Sequence, residues 1–416
     1  VLNLLKDLPE DDPSMLWPGL EKLAGRLFTL LPHLPSTSPV LVSGDWGAGK
    51  TTLLKAVEQK VPEERRIFFE AWRYESEALL LPALLRAIWE KLPADKKRET
   101  TSLATRIFKT ALTLSLSTGG SLAKLLGGAV PSLVVEGLFG LYEEEKKKKA
   151  LQPKPPEDLT GKLQKDFGDL VATGWTAEAP LIVFIDDLDR CGPEGAVGLL
   201  EALRMLLHQT ASTRPCRFVV ALDRKVLTHA VALKYEGVNR YEGNRYLEKL
   251  FPISFELPQP QGGEVDQLIE KILGSQVQDG NERDALASAL GEAVFANPRL
   301  IKRCVNRFRL VLEFEREDPR LAKHSPESLE TLARWIAAVE RWPNLRRLLA
   351  ARDEAFWRQL KEALAAPNVA QLDADVKALL EEDGVEAWMR TTMLSVRGDQ
   401  IAAYREANRR LRAWGL

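Results

Sequence analysis

The stretch Pro39–Leu54, PVLVSGDWGAGKTTLL, decides the fold. A short apolar run, Pro39–Val42, breaks into a glycine-rich bend and then into good helix formers, so strand, loop and helix follow one another. Inside it, Gly44-Asp45-Trp46-Gly47-Ala48-Gly49-Lys50-Thr51 matches G-x-x-x-x-G-K-[ST] in full. The chemistry dictates these residue types. Backbone N–H groups must turn inward to hold phosphate oxygens, and side chains at Gly44, Gly47 and Gly49 would obstruct that approach. The helix that begins near Gly49 offers its unpaired amides and positive dipole end to the same anion. Lys50 is expected to reach the β- and γ-phosphates of a nucleotide, and the Thr51 hydroxyl to ligate Mg²⁺. The expected binding set is Gly44, Asp45, Trp46, Gly47, Ala48, Gly49, Lys50, Thr51 and Thr52.

Working outward, 416 residues allow two or three domains, and 45% apolar with 28% charged residues is ordinary for a globular chain. A formal net charge of −1 gives no global attraction to nucleic acid or anionic lipid, so any such contact needs a local patch. Cys191, Cys216 and Cys304 lie far apart with no C-x-x-C pair, which argues against a zinc site or a disulfide framework and for a reducing, cytoplasmic setting. No basic-then-apolar signal opens the chain. It does not begin with Met, so the numbered sequence is expected to start inside a longer protein.

Residues 12–31 read as an amphipathic helix capped by Asp12 or Ser14, within an N-terminal segment (1–38) that packs on the core. After the loop helix, Arg66–Trp72 is a second strand and 78–92 a helix, the opening of an α/β parallel-sheet unit. Residues 93–156 interrupt that rhythm with a helical insert, unusually apolar over 103–142. Its longest uncharged run falls short of a membrane span. A helical hairpin packed on protein is the leading expectation there, with peripheral membrane contact the next. Pro180–Arg190, PLIVFIDDLDR, is a strand buried on both faces that ends in Asp186 and Asp187. Nucleotide hydrolysis needs one carboxylate for Mg²⁺ and another to orient water, so Asp186 is expected on the metal with Thr51, and Asp187 as catalytic. Strand Arg217–Leu222 leads to Asp223, which either lies beside the nucleotide or caps the next helix. The core is thus expected over 39–92 and 157–260, followed by a wholly helical lid (261–345) and C-terminal region (346–416). Arg299, Arg303 and Arg307 form a stripe that reads as a solvated basic face or, for Arg299, as a reach toward the γ-phosphate.

GDWGAGKTTLL (44–54), FFEAWRYE (68–75), LIVFIDDLDRC (181–191), ALDR (221–224), YLEKLFPISFELP (246–258) and NPRLIKRCVNRF (297–308) together resemble the KAP family of P-loop NTPases. The resemblance implies an α/β, three-layer P-loop fold with sheet order 5-1-4-3-2, and ATP with Mg²⁺ as ligands. It also implies Lys249 or Arg299 as γ-phosphate sensors beside catalytic Lys50 and Asp187, and kinship with signalling ATPases that switch or oligomerise. Glu70 stands where the family pattern has Asn. The family includes bacterial proteins of mobile-element conflict, so anti-phage defence follows by analogy. The functional expectation is an ATPase acting as a conformational or assembly switch, as a homo-oligomer or with an effector partner. The alternative is a nucleotide-gated scaffold at a membrane or in a complex, with little turnover. The Arg stripes near 299–309 and 405–412 are the sole argument for a nucleic-acid partner, and the near-zero charge opposes it.

Overall fold

The computed structural model describes residues 4–5, 16–74, 80–117, 159–207, 215–234, 240–274, 277, 279–292, 297–316, 326–349, 360, 362, 364, 374–382, 384–393 and 401–413. The chain splits into two compact units. One holds Asp11–Pro13 and Leu20–Pro258; the other holds Val1–Glu10, Ser14–Gly19 and Gln259–Leu416.

In the first unit, β1 (Val40–Ser43), β2 (Arg66–Glu70), β3 (Leu181–Asp186), β4 (Cys216–Leu222) and β5 (Ile253–Glu256) form one sheet of order β2-β3-β4-β1-β5. Every pairing is parallel. This is the expected 5-1-4-3-2 order, with β4 inserted between the loop strand and the Asp-Asp strand. Burial follows position in the sheet. The central β1, β3 and β4 are buried along their whole length, whereas the edge strands β2 and β5 alternate. A parallel sheet must be covered on both faces, and its central strands therefore read as unbroken apolar runs. On one face Leu41, Phe69, Val183, Ile185, Phe218 and Val220 enter a single core with the helices α3 (Leu80–Glu90), α4 (Ala94–Ser117), α5 (Leu159–Gly174), α6 (Pro193–Leu207), α7 (Arg224–Lys234) and α8 (Arg240–Leu250). Val42, Phe184 and Val219 are buried on the opposite face, where α2 (Lys50–Glu58) packs on β3 and β4.

The sequence assigned 93–156 to an insert, but its beginning belongs to the core. Ile107 and Ala111 of α4 are fully buried in the main cluster, and α4 packs against α3 and α5. Arg106 of α4 also holds Asp166 of α5 at 2.9 Å. Residues 118–156, most of the apolar stretch, lie outside the described residues. Among those described, no helix is long and apolar enough to cross a membrane.

The N-terminal helix is α1 (Pro18–Leu30), opening on Pro18; the caps proposed at Asp12 and Ser14 lie outside the described residues. The segment before it groups with the helical unit rather than with the sheet. Leu5 and Asn306 exchange two hydrogen bonds of 2.7 Å, and Lys271 donates to the Leu16 carbonyl. That unit comprises α9 (Gly263–Leu273), α10 (Gly280–Glu292), α11 (Pro298–Arg316), α12 (Pro326–Arg341), α13 (Pro343–Leu349), α14 (Ala374–Leu380), α15 (Val385–Met393) and α16 (Ile401–Ala413). Helices α12 and α13 are divided at Pro343, which cannot donate a helical hydrogen bond. Helices α14 and α15 are separated at Gly384, whose φ of 81° suits glycine. The expected lid (261–345) and C-terminal region (346–416) lie in the same compact unit. Trp335 and Trp388 both pack against Tyr404, joining the segments on either side.

Candidate nucleotide-binding site

β1 ends at Ser43, and α2 begins at Lys50. Between them Gly47 and Gly49 adopt φ of 81° and 94°, and the Ala48 amide closes a turn on the Asp45 carbonyl at 3.1 Å. These left-handed positions explain two of the glycines, because a Cβ there would be strained. Gly49 caps α2 without any side-chain acceptor, so the first-turn amides are left for an anion. Gly44 is explained by space, since a Cβ there would stand 3.3 Å from Leu257 Cβ.

The ends of β3 and β4 lie beside this loop because β4 is the neighbour of β1. Asp186 closes β3 at 2% exposure. Thr51 hydrogen-bonds its carboxylate, yet Oδ2 has no partner. Burial pushes Asp186 up to about 6, against the opposing effect of the Thr51 bond; the negative charges of Asp187 and Asp189 add to the rise. Asp187 follows with φ 56°, ψ 27°, a non-glycine residue in the left-handed region. That conformation is uncommon and costs free energy, though Asp tolerates it better than most residues. Arg190 holds the Asp187 carboxylate at 2.9 Å, and its guanidinium also lies over the Trp46 ring, 5.7 Å from the centroid. Trp46 itself is 51% exposed at the loop tip. Glu70 is in register with Asp186 on the neighbouring strand and pairs with Arg73 at 2.6 Å.

A closed circuit of contacts ties these elements together. Lys50 Nζ donates to the carbonyls of Gly44 (3.0 Å) and Asp45 (3.2 Å) and faces Asp189 Oδ2 at 3.7 Å. Asp189 Oδ2 accepts the Asp223 amide at 3.1 Å. Asp223 Oδ1 accepts the Lys225 amide at 2.8 Å, and Lys225 Nζ returns to Asp45 Oδ1 at 2.8 Å. The Asp223 carboxylate makes the helix cap at the N-terminus of α7, while β4 stands next to the loop strand β1. Sequence reasoning passed over Asp189, Arg190 and Lys225. The first two were legible only as the trailing LDR of IDDLDR, and their roles depend on a 3₁₀ turn (Leu188–Arg190) that no periodicity announces.

The remaining expected residues fall elsewhere. Thr52 lies in the first turn of α2. Lys249 is exposed in the last turn of α8. Arg299 opens α11 in the helical unit, where its amide donates to Asn297 Oδ1 at 3.0 Å. The arginine stripe is not a solvated face throughout. Arg303 and Arg307 both pair with the buried Glu340, at 2.8 and 2.5 Å.

Do these residues fit a nucleotide and a divalent ion? Two positive-φ glycines, a third glycine where a Cβ would crowd Leu257, and a half-buried lysine suit a cradle for phosphate. The buried, unpartnered Asp186 Oδ2 beside the Thr51 hydroxyl suits a hard cation. No cluster of three or more His, Cys, Asp or Glu among the described residues could hold a metal.

Residues 21–314 match the KAP family P-loop domain. The chain is 23% identical over 336 residues to the phage T7 exclusion protein of Escherichia coli K12, spanning 73% of this chain and 42% of that relative, less than half its length. Among solved structures, the Walker-type ATPase PabY2304 of Pyrococcus abyssi aligns over 90% of this chain and 91% of its own, at 13% identity and a TM-score of 0.36. With its domain match extending from the helix before β1 into α11, this chain belongs to the KAP family of P-loop NTPases.

Proposed function

We propose that this protein binds Mg·ATP at residues 44–52 and hydrolyses it slowly, using the nucleotide state as a conformational or assembly switch. The observation that carries the reading is the buried Asp186 carboxylate, hydrogen-bonded by Thr51 with its second oxygen unpartnered, at the end of β3. A buried carboxylate with one oxygen unpartnered is costly, which favours a ligand at that oxygen. In this reading Thr51 and Asp186 hold Mg²⁺, which neutralises charge on the phosphate oxygens when bound. The amides of 47–51 and Lys50 bind and orient the phosphates, and Asp187 takes the proton of the attacking water. The 2.9 Å Asp187–Arg190 pair supports slow turnover, because that carboxylate must share or leave Arg190 to reach water.

The experiment is paired. Lys50→Ala should lose ATP binding by calorimetry, and Asp187→Asn should bind ATP while releasing phosphate at least a hundredfold more slowly. Equal turnover in wild type and Asp187→Asn would sink the catalytic assignment. The Escherichia coli relative is named for exclusion of phage T7. We extend that to this chain as a role in anti-phage defence, tested by phage plating on a bacterial host carrying the wild-type or the Lys50→Ala gene. Equal plating on both would remove it.

A further inference from the structure

The circuit through Lys50, Asp189, Asp223, Lys225 and Asp45 bears on how the site reports that it is filled. Lys50 and Asp189 are 10% and 7% exposed at their side chains, so their attraction is little screened by water. At 3.7 Å the Asp189 contact is the loosest of the three that Lys50 makes, since both carbonyls are within hydrogen-bond distance. A terminal phosphate, γ in a triphosphate or β in a diphosphate, carries more charge than a carboxylate and competes for the same ammonium. When it takes Lys50, Asp189 loses that cation and keeps the Asp223 amide. Asp223 in turn caps α7, and its carbonyl accepts the Leu227 amide at 3.1 Å.

Resting on the nucleotide reading above, we propose that Asp189 is the resting counter-ion of Lys50. Its displacement by a nucleoside di- or triphosphate is the step that signals an occupied loop to Asp223 and the first turn of α7. Asp189 is a positioning residue in this account: it touches Lys50 and not the reacting atoms.

Two consequences separate this from a purely structural role. Removing the charge while keeping an oxygen acceptor for the Asp223 amide frees Lys50, so Asp189→Asn should bind Mg·ATP about tenfold more tightly. AMP lacks the phosphates that Lys50 contacts, so its affinity should not change. Asp189→Ser removes the charge by a second route and should behave alike. In wild type, Mg·ATP should alter hydrogen exchange at the 223–227 amides, and in Asp189→Asn that response should be lost. A structural role would instead lower the melting temperature and weaken ATP and AMP together. Unchanged or weaker ATP binding in a folded Asp189→Asn or Asp189→Ser protein overturns the proposal alone. Absence of ATP binding by wild type overturns the nucleotide reading and the proposal with it.

Discussion

At the scale of single residues, the site is dominated by carboxylates held at a cost. Asp186 is buried with one oxygen unpartnered, and burial drives its carboxyl to about 6. At neutral pH the folded state therefore carries a charge that the unfolded chain would hydrate freely. Replacing it with the isosteric amide should raise the stability of the nucleotide-free protein by roughly 1–3 kcal/mol, read as a higher melting temperature. The same Asp186→Asn change should remove the dependence of ATP binding on Mg²⁺. A lower melting temperature would show that the carboxylate stabilises the empty fold. The motif identified Asp186 and Asp187 by type, but not the left-handed backbone of Asp187 or its grip by Arg190, which arise from the turn after β3.

Among the elements, buried ion pairs link helices in the C-terminal unit. Glu315 of α11 and Arg410 of α16 are 0% and 7% exposed and meet at 2.5 and 2.7 Å through two guanidinium nitrogens, while Ser328 of α12 accepts a third bond. Such a pair adds little over an apolar replacement, but breaking it strands a buried charge. Glu315→Ala should cost about 3–5 kcal/mol, and the joint change of Glu315 and Arg410 to Leu and Met much less. Denaturant titration of both variants checks this; equal losses would mean packing, not charge, is at stake. The sequence displayed Arg299, Arg303 and Arg307 and the residues near 405–412 as basic stripes. It could not show that Arg303, Arg307 and Arg410 are committed to Glu340 and Glu315, because those partners lie on other helices. That commitment weakens the case for a nucleic-acid surface.

For the molecule as a whole, the proposed site couples nucleotide binding to stability. A ligand that binds only the folded state stabilises it by mass action, about 2.7 kcal/mol at a hundredfold excess over Kd. Mg·ATP should therefore raise the melting temperature of wild type, leave Lys50→Ala unmoved, and raise Asp189→Asn further at equal ligand concentration. Differential scanning calorimetry distinguishes these outcomes, and a matching rise in Lys50→Ala would place ATP elsewhere.

The sequence by itself determined the phosphate loop, the Asp-Asp strand and the parallel α/β class. These depend on local signals: glycines where φ must be positive, apolar runs where both faces are covered, and carboxylates at a strand end. Family resemblance supplied the strand order. Tertiary structure alone decided that α4 belongs to the core, that Leu5 and Leu16, ahead of α1, join the helical unit while Leu20 onward joins the sheet, and that Asp189 faces Lys50. In PVLVSGDWGAGKTTLL, Lys50 could be read as the phosphate ligand. Its resting partner lies 139 positions away and meets it only because β4 sits between β1 and β3 and aligns the ends of all three.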